Sequence, residues 1–112
     1  AAADVVLICS PEYAFGIPGA LKNALDWTVS SGEFTGKPVA LITASSMGEI
    51  AHAALQHTLV AISANMIPGA VHLIPFIRAK MNVQGEITEP AAARTVNNTI
   101  EAILAFLQDS KK

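Results

Sequence analysis

The sequence predicts an α/β protein in which a parallel sheet carries helices on both faces. Short apolar runs rich in β-branched residues alternate with longer segments in which apolar residues recur at helical spacing. The runs are continuous rather than alternately polar, which is typical of strands that are covered on both sides. The resulting order β-α-β-α-β-α makes the strands parallel, because crossovers in such units are right-handed.

The first half of the chain contains two predicted strands with a helix between them. Residues 5–9 form the first apolar run and residues 38–43 form the second. Residues 20–29 have helical spacing and follow a proline, which the first turn of a helix tolerates. Lys22 and Asp26 are expected to pair on the solvent side of this helix, because residues at this spacing are neighbours on a helix surface.

The second half continues the alternation. Ser46 and Glu49 have the spacing of a capping box, in which Ser46 begins a helix and the Glu49 carboxylate binds the Ser46 amide. We expect this helix to extend to about residue 65, a third strand to cover residues 70–77, and a last helix to begin near Pro90. The inward face of the last helix is predicted to contain Val96, Ile100, Ile103, Leu104 and Leu107.

Three loops follow the carboxyl ends of the predicted strands. They are residues 10–19, residues 44–49 and the segment that begins at Arg78. Ligands of open α/β sheets bind outside these strand ends. We therefore expect the functional site where the three loops meet.

Composition and charge exclude several classes of function. The net charge is −2 and the isoelectric point is about 5.8, so binding to nucleic acid or an anionic membrane is not expected. No apolar run reaches the roughly 18 residues of a membrane span.

The three histidines lack the spacing of a helical zinc site, and a single cysteine, Cys9, forms neither an internal disulfide nor a cysteine metal site. We expect a buried Cys9 thiol, and a cytoplasmic protein because no signal-like segment opens the sequence.

The loop after the first strand combines prolines, glycines and two aromatic residues ahead of a helix. Tyr13 and Phe15 supply aromatic surface, while Gly16 and Gly19 allow close approach of the backbone. Such a loop suits a flat aromatic cofactor, which needs apolar walls and a few polar groups at its edge. It equally suits a tight strand-to-helix connection with Phe15 in the core, and the residues alone leave both interpretations open.

Residues 11–27 resemble the signature of the NADPH-dependent FMN reductase family, Pro-Glu-Tyr-Asn followed by Pro-Gly-x-Leu-Lys-Asn-Ala-x-Asp-Trp. This family includes azo, quinone and chromate reductases with a flavodoxin-like fold. The Ser-Ser-Met-Gly sequence after the second strand is similar to the family's second flavin loop. The resemblance implies a doubly wound parallel sheet, FMN as cofactor, NADPH or NADH as hydride donor, and a small-molecule acceptor. It implies reduction of FMN, or FMN-mediated reduction of a quinone or azo compound.

The resemblance also implies which residues surround the flavin. The first loop is expected along the isoalloxazine ring and the second at its pyrimidine edge, where amides at a helix start near Ser46 would stabilise negative charge. No catalytic side chain is implied, because the flavin carries out the hydride chemistry. Ala14 stands where the family has asparagine, so a polar contact is expected to be lost. The implied cofactor-binding residues are Pro11, Glu12, Tyr13, Ala14, Phe15, Gly16, Ser45, Ser46, Met47 and Gly48.

By this resemblance, residues 1–112 form a single, incomplete flavodoxin-like domain. They correspond to strands 3, 4 and 5 of the strand order 2-1-3-4-5, without the first two strands and the loop that holds the FMN phosphate. The strand at residues 5–9 would then leave an open apolar edge, which is a pairing hazard. We expect a preceding or partner segment to complete the sheet, a homo-oligomer, and equally weak binding of FMN and riboflavin by this piece.

Two other functions remain open at this point. A non-catalytic flavodoxin-like remnant or interaction module would bind no flavin. An electron carrier would bind flavin without using a nicotinamide cofactor. Flavin binding and nicotinamide-dependent turnover distinguish these functions from a reductase.

Overall fold

The computed structural model describes residues 4–110 and contains the predicted alternation of strands and helices. The strands are β1 (Val6–Ser10), β2 (Pro38–Ala44) and β3 (Asn65–Ile74). The helices are α1 (Gly19–Ser31), α2 (Glu49–Ala61) and α3 (Pro90–Ser110), and a 3₁₀ turn spans Ile77–Lys80. Among the described residues, no helix combines the length and the apolar character that crossing a membrane requires.

The strands form one parallel sheet in the order β1-β2-β3. Ile8 of β1 pairs with Leu41 of β2, and Leu41 pairs in turn with Val71 of β3. The register between β2 and β3 shifts after Val39, where β3 bulges around Gly69, whose φ is 80°. Because the strands are parallel, the loops that follow them meet at one edge of the sheet.

Alternate residues of β2 enter two separate cores. Val39 and Leu41 pack with Leu25 of α1 and Leu55 of α2, so both helices lie on the same face of the sheet. Ala40 belongs to the core on the opposite face. The residues that α3 contributes to this second core are Ala102, Ile103 and Phe106. Helices therefore cover both faces, as the sequence predicts for an α/β protein.

β1 lies at an edge of the sheet, and only one of its faces is well covered. Ile8 is buried in the core that includes α1 and α2, whereas Leu7 is 49% exposed and Cys9 is exposed. The helix on the other face, α3, packs mainly against β3. The prediction of a buried Cys9 thiol is therefore wrong, because α3 does not cover this part of β1.

The end of α2 and the start of β3 differ from the prediction. The helix ends at Ala61 rather than near residue 65, because Ser63 adopts a φ of 63°, which does not continue a helix. The strand begins at Asn65 and contains the Pro68-Gly69 pair as a bulge. A proline and a glycine that suggest a helix terminator in the sequence thus lie within a strand.

The last strand and the last helix show two further differences. β3 ends at Ile74 because Phe76, with a φ of 55°, turns the chain into the 3₁₀ turn. On α3, Ile100 and Leu104 are exposed, while Phe106 packs against the sheet. The apolar stripe of α3 is therefore wider than the face that packs on the sheet, and the prediction that Ile100 and Leu104 face inward is wrong.

Candidate functional site

The three loops predicted to form a site surround one cavity of about 460 Å³. This volume lies within the roughly 300–1,000 Å³ that is usual for small-molecule sites. The first loop follows β1, the second follows β2, and the third leads into the 3₁₀ turn. The lining residues are Pro11, Glu12, Tyr13, Ala44, Ser45, Ser46, Ile77 and Arg78.

Half of the ten predicted site residues line this cavity. Those that do not line it are Ala14, Phe15, Gly16, Met47 and Gly48. Arg78 lines it but was not singled out from the sequence. The sequence feature that could have identified Arg78 is its position as a basic residue after the third strand, at the edge of the sheet where ligands bind. Within residues 4–110 no carboxylate forms an ion pair with Arg78, so its positive charge is available to a ligand.

The tip of the first loop is a tight turn with an unusual backbone. Tyr13 and Gly16 exchange two backbone hydrogen bonds, of 3.0 and 2.8 Å. Ala14 and Phe15 between them have φ angles of 49° and 60°. Two consecutive positive φ angles define a type I′ turn, for which asparagine and glycine are preferred. Non-glycine residues in this region cost about 1–2 kcal/mol each, so the turn is held in a strained conformation.

The second loop is attached to the third through backbone hydrogen bonds. The Ser45 amide donates to the Ile74 carbonyl at 3.2 Å, and the Ile77 amide donates to the Ser45 carbonyl at 3.2 Å. The Ser46 carbonyl accepts from the Phe76 amide at 3.1 Å. In the described part of the chain, the amides of Ser46 and Met47 have no acceptor. These two N–H groups are therefore available donors of the second loop, and Ser46 itself lines the cavity.

The start of α2 is capped by Glu12 from the first loop. One carboxylate oxygen of Glu12 accepts from the Gly48 amide at 3.1 Å, and the other accepts from the Ala51 amide at 2.9 Å. Gly48 is the N-cap of the helix and Ala51 is its third residue, so these are the two donors that a capping box satisfies. The predicted box at Ser46 and Glu49 is therefore wrong. The helix begins later, where neither capping position carries a polar side chain.

Gly48 is required at this position for two reasons. Its φ is 93°, a conformation that residues with a side chain rarely adopt. A Cβ atom would also lie 2.7 Å from the Cδ1 atom of Leu73 on β3. The glycine of the Ser-Ser-Met-Gly sequence thus permits the helix to begin directly against the sheet.

The hydrogen bonds at α2 change the expected electrostatics of the site. Amides at the helix start were expected to face a ligand, but those of Gly48 and Ala51 are occupied by the Glu12 carboxylate. The carboxylate also offsets the positive end of the helix dipole. In residues 4–110 the amides of this segment without an acceptor are those of Ser46 and Met47, which precede the helix, and those of Glu49 and Ile50 in its first turn.

A buried hydroxyl and a histidine lie just below the second loop. Thr43, which is fully buried near the end of β2, is 2.7 Å from the Nδ1 atom of His52 on α2. Burial lowers the pKa of His52 below its ordinary value, and the nearby His72 on β3 lowers it further. Neutral His52 is therefore favoured in the folded protein.

In the range 4–110, no three His, Cys, Asp or Glu side chains form a metal-binding group.

Several known proteins similar to this chain are reductases, and the family whose profile matches it is named for FMN. The profile described as NADPH-dependent FMN reductase matches residues 1–78. The chain is 36% identical to an NADPH azoreductase of a Bacillus species, covering 99% of this chain and 61% of that one. It is 34% identical to a quinone reductase of Escherichia coli, covering 97% and 61%. A solved flavoenzyme NAD(P)H:(acceptor) oxidoreductase of Paracoccus denitrificans aligns with a TM-score of 0.75 and 27% identity, covering 96% and 63%. The chain spans about three-fifths of the length of these relatives.

The strained turn predicts that Ala14→Asn stabilises the protein. Asparagine tolerates the positive φ of this position better than alanine does, so the free energy of unfolding should rise by up to about 1 kcal/mol. Urea denaturation of the two proteins measures this difference. Ala14→Val is the opposite control and should destabilise, because a β-branched residue is disfavoured at positive φ. Equal stability of all three proteins would show that the turn is not strained.

The lowered pKa of His52 predicts a loss of stability in mild acid. Below the ordinary histidine pKa of about 6.5, the unfolded chain takes up a proton at this position that the folded protein resists. The free energy of unfolding should therefore fall as the pH is lowered from 7.5 to 5.5. His52→Gln should reduce this fall, which urea denaturation at the two pH values would measure. His57→Gln, an exposed histidine of the same helix, is the control and should keep the wild-type difference.

Proposed function

Because the chain belongs to the NADPH-dependent FMN reductase family, we propose that it forms the flavin-binding core of an NAD(P)H-dependent reductase. The proposed reaction is reduction of FMN, or of a quinone or azo acceptor through bound FMN. When bound, FMN supplies the redox chemistry by accepting a hydride from the nicotinamide and passing electrons to the acceptor. The observation that carries the proposal is the cavity formed by the three loops at the carboxyl edge of the sheet.

The residues around the cavity fit a flavin ring. Pro11 and Tyr13 provide an apolar and aromatic wall, and Tyr13 is 64% exposed. The amides of Ser46 and Met47 would donate hydrogen bonds to the polar edge of the ring, since no other described residue accepts from them. Arg78 would hold a positive charge at the rim, where negative charge on the flavin is stabilised. We assign no catalytic side chain.

Quinones and azo compounds are the proposed acceptors, and the protein is proposed to act in the cytoplasm. The first and second loops expose aromatic and apolar side chains on the cavity and on a smaller pocket that shares Glu12 with it, as a flat aromatic acceptor requires. They are Tyr13, Phe15 and Met47. Cytoplasmic NADH and NADPH would supply the hydride.

The first test is a titration of the protein with FMN, followed through quenching of flavin fluorescence. We expect binding in a one-to-one ratio, and reduction of the bound flavin by NADPH or NADH when a quinone is supplied as acceptor. A parallel titration with riboflavin measures the contribution of the phosphate, which is expected to be small for this chain.

Two other results of this titration would contradict the proposed reaction, and a third would contradict only the expected small contribution of the phosphate. Absence of FMN binding would favour a non-catalytic module. Binding with reduction by dithionite, but not by either nicotinamide, would favour an electron carrier. A strong preference for FMN over riboflavin would show that the chain does bind the phosphate.

We further propose that the protein is a homo-oligomer in which α1 and α2 contact a second copy. Both helices lie on one face of the sheet and expose large apolar side chains to solvent. Trp27 of α1 is 74% exposed and Val60 of α2 is 62% exposed. Tryptophan is enriched in protein interfaces, and a monomer gains nothing from exposing it.

The oligomer proposal predicts that Trp27→Glu dissociates the protein. A charge in a buried apolar interface is costly, so the sedimentation coefficient at micromolar concentration should fall to that of a monomer. Val83→Glu is the matched control, because Val83 is 97% exposed and belongs to the loop between the 3₁₀ turn and α3 rather than to α1 or α2. A wild-type protein that sediments as a monomer would contradict the proposal.

A further inference from the structure

We propose that Glu12 is a positioning residue that fixes the second loop of the cavity by capping α2, and that it does not bind the flavin directly. The resemblance to flavin reductases implies a ligand contact for this glutamate. The structure instead directs both of its carboxylate oxygens to backbone amides of α2. The part of the inference that concerns flavin affinity rests on the proposed function, whereas the capping part does not.

Among the described residues, the two amides bound by Glu12 have no other acceptor. Both belong to buried residues, Gly48 and Ala51, at the start of the helix, where backbone N–H groups lack partners within the helix. Neither residue has a side chain that could cap the helix. A buried donor left without an acceptor is costly, so the carboxylate contributes strongly to the conformation of this helix start.

Glu12 holds the second loop at both of its ends. Its backbone amide donates to the hydroxyl of Ser45 at 3.2 Å, and its carboxylate accepts from Gly48. The residues between these two contacts are Ser46, which lines the cavity, and Met47, and the amides of both have no acceptor among the described residues. One residue of the first loop therefore sets the position of the donors that the second loop presents.

The charge of Glu12 adds a second effect. A carboxylate at the N-terminus of α2 is stabilised by the helix dipole, and it occupies the place where a ligand anion would otherwise bind. The Glu12 carboxylate takes up the amides of Gly48 and Ala51, while the neutral amides of Ser46 and Met47 and the cation Arg78 remain available to a ligand.

The test compares wild-type protein with Glu12→Gln and with Glu49→Gln as a matched control. Glu49 is an exposed carboxylate in the first turn of the same helix, and it caps nothing. In the flavin-free protein, NMR would record the amide proton shifts and hydrogen exchange rates of Gly48 and Ala51. We expect both amides to shift and to exchange at least tenfold faster in Glu12→Gln, because glutamine is neutral and replaces one of the two acceptor oxygens with an NH2 group that cannot accept from a backbone amide. Other core amides should be unaffected, and Glu49→Gln should resemble the wild type.

The second part of the test is an FMN titration of the same three proteins. We expect the dissociation constant to rise by tenfold to a hundredfold in Glu12→Gln, which corresponds to the loss of about one charge-assisted hydrogen bond, and by less than twofold in Glu49→Gln. Glu12→Asp, which keeps the charge on a shorter side chain, should fall between wild type and Glu12→Gln in both measurements. It also serves in place of Glu12→Gln if that protein does not fold.

The outcomes separate the inference from the proposed function. Unchanged Gly48 and Ala51 amides in Glu12→Gln would overturn the inference. Changed amides with unchanged FMN affinity would reduce Glu12 to a helix cap, and would overturn its role in positioning the site. Absence of FMN binding by the wild type, with the amides changed as expected, would overturn the proposed function and leave the cap in place.

Discussion

The contact between the Glu12 carboxylate and the start of α2 is the interaction on which the geometry of the cavity depends. It joins two loops that are far apart in the sequence and fixes the helix that follows the second of them. The sheet brings these loops to the same edge, but a sheet alone does not determine how closely they approach. The carboxylate supplies that constraint, because it satisfies two buried donors at once.

The first and second loops are shaped by different forces. The second is held by hydrogen bonds to β3 and to Glu12, and Gly48 packs directly against Leu73. The tip of the first is held by a turn whose two central residues are not suited to it. A rigid polar loop thus faces an exposed aromatic one across the cavity. In such an arrangement the second loop would orient a cofactor, and the first loop would contact ligands that vary.

Much of the fold could be predicted from the sequence, because the apolar runs and helical segments are distinct. The parallel order of the strands and the location of the loops follow from that alternation and from the handedness of crossovers. The exposure of Cys9 could not be predicted in this way, since it depends on which strands α3 covers. The Pro68-Gly69 bulge was likewise misassigned, because the same pair of residues ends helices and interrupts strands.

The candidate site was predicted less completely than the fold. The resemblance implies a site at the first and second loops, and half of the implied residues line the cavity. The role of Glu12 was missed because a capping box is a local pattern, whereas this cap comes from a residue 36 positions away from Gly48. Arg78 was missed because a single basic residue in a polar segment has no distinctive spacing.

The burial of β2 on both faces has a consequence for how the site can diverge among related proteins. Val39, Ala40, Leu41 and Thr43 are fully buried, so almost any change in them disturbs one of the two cores. The second loop directly follows this strand, so the packing of β2 also fixes the position of the loop. Tyr13, Phe15 and Arg78 are exposed, and their replacement costs little folding energy. Changes in the ligand that the cavity accepts are therefore most accessible to natural variation through the first and third loops, while the second loop is constrained by the packing of β2.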